Sequence, residues 1–262
     1  MGDAPLIFRS RVEMPGPTSF SYFFRIPPPC YTSHVTRPVR DIQSLQPPCT
    51  TVTIQSADHL LPRAFYARDT VAVARALLGQ RLVRVLDNQR LGGLICEVEA
   101  YGGADDQASH ACRRTPRSTI MFGPPGIAYV YFIYGMYYCL NAVTECDGQP
   151  GAVLIRSISP EEGIGRLREN RPGVMDRHLA DGPGKLCRAL SITAALNGID
   201  LTGNSELFIA AGEQVVAREI IAAPRIGVRG DEEAQTRPWR FVWQRAWHWS
   251  NPTRATLRWT AE

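Results

Sequence analysis

The stretch Ile95-Cys96-Glu97-Val98-Glu99-Ala100-Tyr101 sets two carboxyls and a phenol at alternate positions. Side chains alternate faces along a strand. Glu97, Glu99 and Tyr101 therefore share one face, and Cys96, Val98 and Ala100 share an apolar one. Burying two acids is costly, so a buried acid there should be working as an acid or base. The alternative is an edge strand whose Glu97–Glu99 face lies in water. His110 follows in the polar run Asp105-Asp106-Gln107-Ala108-Ser109-His110. It reads either as a surface residue or as a flat ring placed against a ligand.

A second face comes from Tyr129 to Asn141, YVYFIYGMYYCLN. Two apolar runs flank Tyr-Gly-Met, which predicts an antiparallel hairpin. Gly135 supplies the turn, because positive φ costs glycine little. Tyr129 and Tyr131 share one face, as do Tyr137, Cys139 and Asn141. If these strands neighbour the Glu99 strand, tyrosines wall a pocket floored by Glu and Asn. Tyr134 and Met136 fall at the tip, where turns ordinarily carry Asn, Asp, Gly or Ser. An apolar tip suits a wedge that leaves water only when it meets a partner such as a base stack.

Basic residues cluster nearby. Arg113-Arg114-Thr115-Pro116-Arg117 is a loop that is either solvated or in contact with phosphate. Arg156 ends a predicted strand. Lys185 opens a predicted helix after Gly182-Pro183-Gly184, where free amides and the helix dipole favour an anion. The plain alternative is a simple helix start. The net charge of +4 is modest, but the bases are 28 Arg and a single Lys. Arg suits bidentate phosphate contact, although a GC-rich genome would favour Arg codons equally. Schiff-base chemistry thus has Lys185 as its one candidate side-chain amine, or else the N-terminal amine.

The elements that must position these residues follow from composition and pattern. With 262 residues, 44% of them hydrophobic, a full core needs no staples. The seven cysteines are odd in number and form no C-x-x-C pair, which predicts reduced thiols in a cytosolic protein. The five histidines lack ligand spacing, so no metal is expected. No apolar run reaches about 18 residues, so no membrane span is expected, and no secretory signal is evident. Residues 1–58 hold nine of the twenty prolines and no regular period, which predicts a disordered extension before a folded domain over 59–262. Helices are predicted over Asp69–Leu78, Pro160–Glu169 and Gly184–Ile192. Strands are predicted over Arg81–Leu86, Leu91–Tyr101, Ala152–Ile158, Leu207–Ala210, Ile226–Val228 and Arg240–Gln244. Together they make one mixed domain of the α+β class with a protruding hairpin. All five tryptophans lie between Trp239 and Trp259 and read as C-terminal core and cover, or as a partner surface at Trp247-His248-Trp249.

Several unusual motifs recur here in a recognisable order. They are Glu99-Ala100-Tyr101, His110, Met121-Phe122, Tyr129 to Tyr137, Asn141, Arg156 and Gly182-Pro183-Gly184-Lys185-Leu186-Cys187. From about Leu61 to Phe241 the chain closely resembles the alkyladenine (3-methyladenine) DNA glycosylases of the mammalian type. The resemblance implies a domain around a curved antiparallel sheet. It also implies a base-excision repair enzyme that removes 3-methyladenine, hypoxanthine and ethenoadenine from double-stranded DNA. By the same resemblance Glu99 would be the general base, and Arg156 would help hold the water and backbone. Tyr101, His110 and Tyr131 would stack around an extruded base, and Asn141 would clash with guanine's exocyclic amine. Tyr134 would fill the vacated space beside Met136 and Tyr137, with Arg113, Arg117 and Lys185 near phosphates. Two departures stand out. Gly123-Pro124-Pro125-Gly126 replaces a common Met-Lys-Pro-Gly and loses a basic contact. Gly102-Gly103 suggests a wider pocket rim.

The scarcity of lysine favours a monofunctional, water-using enzyme without cofactor. A monomer is expected, cytoplasmic or at the nucleoid in a bacterium and nuclear in a eukaryote. Two rivals remain at this level. A nucleic-acid binding module would share the stacking residues but has no use for Glu99. A small-molecule nucleoside hydrolase would have no use for the Tyr134–Met136 wedge.

Overall fold

The computed structural model describes residues 58–246. The expected extension, save its last residue, and Trp247-His248-Trp249 lie outside that range. Helices α1 (Arg63–Tyr66) and α2 (Thr70–Leu77) precede a hairpin of β1 (Arg81–Leu86) and β2 (Gln89–Tyr101). A long loop with single 3-10 turns at His110–Cys112 and Thr119–Phe122 leads to β3 (Ala128–Ile133), β4 (Tyr137–Val143) and β5 (Ala152–Glu162). Then come α3 (Ile164–Asn170), α4 (Pro183–Ala189), β6 (Leu207–Ala210), β7 (Ile220–Ala223), α5 (Glu232–Thr236) and β8 (Arg240–Trp243). The strands form one antiparallel sheet in the order β3-β4-β5-β2-β1-β6, and β8 pairs with both β2 and β7.

Local chemistry explains the first elements. Asp69 caps α2 by accepting from the Ala72 amide at 2.8 Å, a contact worth about 1 kcal/mol. Val73, Ala74 and Leu77 then point into the core. Asp87 and Asn88 both take positive φ, 49° and 58°, which matches the twist of the flanking strands.

β2 is the strand that decides the site. One of its edges pairs with β5 along its length. The other pairs first with β1 over 89–94 and then with β8 over 97–99. Glu97 and Glu99 therefore lie on an interior strand, 7% and 0% exposed. The solvated-edge alternative is excluded. Register shifts on both sides of Glu97 bulge the ladder there, and such bulges re-aim side chains. Cys96, Val98 and Ala100 face the main core, as their alternation predicts.

The β3–β4 hairpin keeps the same discipline. Val130, Leu140 and Ala142 face the core, while Tyr129, Tyr131, Cys139 and Asn141 face the opposite side. At its turn Tyr134 as well as Gly135 has positive φ, 54° and 67°. A tyrosine in that region is uncommon, so the turn holds a bulky ring outward at a conformational cost. The start of β4, just past the turn, is seated on α4. A Cβ on Gly184 would stand 2.8 Å from the Tyr137 ring. Gly184→Ala should therefore cost about 1–3 kcal/mol through overpacking, seen as a lower Tm. An unchanged Tm would mean that Tyr137 yields freely.

Two sequence expectations fail. Pro160 opens no helix: it lies inside β5, opposite Gly93, where Glu161 is left out of the ladder. Strand pairing with a bulge overrides the proline signal, and α3 begins after Gly163, which has φ of 67°. Residues 226–228 form no strand either, because Gly227 turns the chain with φ of 70°. The strand lies just upstream, at β7.

Candidate active site

β2, β3, β4 and β5, the start of α4, the His110 loop and the 226–229 segment line a cavity of about 630 Å³. Its walls include Glu99, Tyr101, His110, Tyr129, Tyr131, Cys139, Asn141 and Arg156. The volume is in the range of small-ligand sites.

Glu99 is fixed at both oxygens. Its Oε2 accepts from the Tyr101 hydroxyl at 2.7 Å. Its Oε1 accepts from the Ile226 amide at 2.8 Å and lies 3.1 Å from an Arg156 Nη1. Arg156 Nε donates to Glu97 Oε1 at 3.0 Å, and Arg240 Nη1 reaches the same atom at 3.2 Å. Two arginines thus offset two buried carboxylates, which is how buried charge is tolerated. Burial opposes the charge on Arg156, but Glu99 and Glu97 outweigh it and raise its pKa. Burial, then the charge of Glu99, pushes the Tyr101 phenol well up. Tyr101 therefore remains a neutral hydrogen-bond donor.

Another part of the lining is aromatic. The His110 and Tyr131 rings meet edge-on at 4.7 Å, and Tyr129 lies 5.2 Å from Tyr131. His110 Nδ1 and the Tyr129 hydroxyl are hydrogen-bonded at 2.9 Å. Burial, then the nearby Arg117, lowers the His110 pKa. The imidazole is consequently neutral at pH 7. Burial raises the Tyr131 phenol as well as the Cys139 thiol. Asn141 sits opposite Tyr129 in the ladder and donates to its carbonyl at 3.0 Å. The lining of this slot thus combines a charge-balanced acid with uncharged rings. Such a slot can grip a flat heterocycle and act on a bond at its edge.

The tip stands outside. Phe132, Tyr134 and Met136 are 49%, 75% and 64% exposed. Tyr134 and Tyr137 also border the cavity. Among the basic residues expected near phosphate, Arg117 is closest to the slot. It stacks over Tyr131 at 4.7 Å and donates to the Phe132 carbonyl at 2.9 Å. Arg113 is exposed and lines no part of the cavity. Lys185 is also exposed and away from the cavity lining, with its Nζ 2.9 Å from Asp181.

The wider rim expected from Gly102-Gly103 is not found. Cβ atoms added there would meet Trp239 and Pro150, so packing, not open space, occupies the room. Sequence reasoning also missed the 225–229 segment. Its Ile226 amide holds Glu99, and Arg225 is buried behind the site. The signal was weak, because a lone arginine beside Ile-Gly-Val reads as a loop or short strand. Among the described residues no cluster of His, Cys, Asp or Glu could hold a metal, and no helix is long and apolar enough to cross a membrane.

Residues 64–246 match the model of the methylpurine-DNA glycosylase family. Relatives that carry the provisional name 3-methyladenine DNA glycosylase are similar over most of their own length. One from Methanocella arvoryzae is 53% identical over 184 residues, 70% of this chain and 91% of the relative. One from Bacillus cytotoxicus is 46% identical over 194 residues, 70% of this chain and 95% of the relative. One from Carboxydothermus hydrogenoformans is 48% identical over 183 residues, 70% and 94%.

Proposed function

The chain belongs to the methylpurine-DNA glycosylase family, and from that premise we propose that it excises alkylated and deaminated purines from double-stranded DNA. Its substrates on this reading are 3-methyladenine, hypoxanthine and ethenoadenine, and it acts as a monomer by hydrolysis alone. The observation that carries the reading is the Glu99 carboxylate, held at both oxygens beside a slot of neutral aromatic rings.

The damaged nucleotide leaves the stack at a cost on the order of a few kcal/mol. Tyr134 fills the gap, with Met136 and Tyr137 beside it. Tyr101, His110 and Tyr131 grip the base, and electron-poor rings stack best there. Asn141 stands against the exocyclic amine of guanine. A water held by Glu99 and Arg156 attacks the anomeric carbon. Its oxygen bonds to that carbon, the N-glycosidic electron pair leaves with the base, and a water proton passes to Glu99. A cationic alkylpurine departs as a neutral molecule. Hypoxanthine needs its ring protonated, or stabilised by amide donors near His110. Arg113, Arg117 and Lys185 serve the backbone, and Lys185 reaches a phosphate only by loosening its pairing with Asp181.

A duplex carrying one hypoxanthine tests the reading. Time-dependent abasic product is expected. Retardation of the duplex without product would indicate a binding module. Cleavage of free deoxyinosine with the duplex untouched would indicate a nucleoside hydrolase. The sole lysine lies outside the cavity lining, so no Schiff base should form. Borohydride should trap no covalent adduct, and a trapped adduct would contradict the hydrolytic mechanism.

A further inference from the structure

Behind the cavity wall lies a buried ion pair with no part in the chemistry above. The side chains of Arg225 and Asp106 are both 0% exposed. Arg225 Nη1 donates to Asp106 Oδ2 at 2.6 Å and to the Ala100 carbonyl at 3.0 Å. Its Nη2 donates to Asp106 Oδ1 at 2.7 Å and to the Ala234 carbonyl at 2.7 Å. The guanidinium is also flanked by rings, 4.8 Å from Tyr101 and 5.3 Å from Trp239. One side chain thus joins the end of β2, the loop before His110, helix α5 and its own segment.

Stability alone does not call for such a pair. Desolvating two charges can cost more than their attraction returns, and apolar groups of similar volume often serve as well or better. What this pair adds is direction. The two donors that Arg225 backs are donors to Glu99. Ile226, the next residue, gives its amide to Oε1 at 2.8 Å. Tyr101, whose ring Arg225 covers, gives its hydroxyl to Oε2 at 2.7 Å. Asp106 extends the frame. It accepts from the Gly102 and Ala108 amides at 2.9 and 3.2 Å, and its carbonyl accepts from Ser109 at 2.8 Å. That turn leads directly into His110.

The geometry points to Arg225 as a positioning residue that, with Asp106, aims the Glu99 carboxylate and ties it to the aromatic wall. The inference rests on the reading of Glu99 as the group that activates water. A carboxylate displaced by about 1 Å loses on the order of 10²-fold in rate. The fork of Arg225 makes two bonds to one carboxylate, which a lysine cannot reproduce.

The test uses Arg225→Lys and Tyr101→Phe, singly and together. Single-turnover excision, duplex Kd and Tm are measured on hypoxanthine-containing DNA with the full chain. Arg225→Lys should slow excision on the order of 10²-fold and leave Kd unchanged. Its loss and that of Tyr101→Phe should be less than multiplicative, because both act through one carboxylate. If Arg225→Lys does not fold, Asp106→Asn keeps the shape and should give the same pattern. An unchanged rate per folded molecule would overturn the proposal, as would fully multiplicative losses. So would a rate that falls only in step with the folded fraction. A wild-type chain that releases no base from any damaged duplex would overturn the glycosylase reading and this one together. A wild type that releases base, with Arg225→Lys equally fast, would overturn this one alone.

Discussion

Glu99→Gln should bind damaged duplex as the wild type does and release almost no base. The amide keeps the volume of the acid. Its carbonyl can still accept from the Ile226 amide and face Arg156. The Tyr101 hydroxyl, now opposite an NH₂ group, can turn and accept. Arg156 keeps Glu97 as a partner at 3.0 Å, so no buried charge is left alone. What the amide cannot do is take a proton from water or offset positive charge on the sugar. Positioned base catalysis contributes roughly 10²- to 10⁴-fold, and the excision rate should fall by at least that. Excision at the wild-type rate would remove Glu99 from the mechanism.

Arg156→Ala should damage both fold and chemistry. Among the described residues Arg156 is the one side chain that touches both buried glutamates, and it is itself 11% exposed. Without it Arg240 still reaches Glu97 at 3.2 Å, but Glu99 retains only neutral donors. Removing one member of a buried pair typically costs about 3–5 kcal/mol. In a domain of this size that lowers Tm by roughly 6–20 °C. The folded remainder should also excise poorly, because the water site has lost one of its walls. A Tm equal to that of the wild type would show that the network carries little stability.

These predictions rest on features of unequal visibility in the chain. Alternation told which faces of β2, β3 and β4 would meet, since a strand has only two. The unusual Tyr134–Met136 tip was equally plain, because a turn rarely carries large apolar groups. Alternation could not tell that Glu99 is buried. That depends on β5 and β8 lining the two edges of β2 at Glu99, a choice made by distant segments. Arg225 was invisible for the same reason, its partner Asp106 lying 119 positions away. Pro160 misled because a local rule for helix starts met a sheet bulge that tolerates proline. Lys185 was correctly placed at a helix start, yet it pairs with Asp181, two residues before that helix begins, a contact that charge counting overlooked.

The most direct measurement is a mass balance on a duplex carrying a single 3-methyladenine. Free base and alkali-labile abasic sites should appear one for one, with the strand intact before alkali. A duplex that is held but keeps its base, or a strand cut without alkali, would contradict the account of Glu99 as an activator of water.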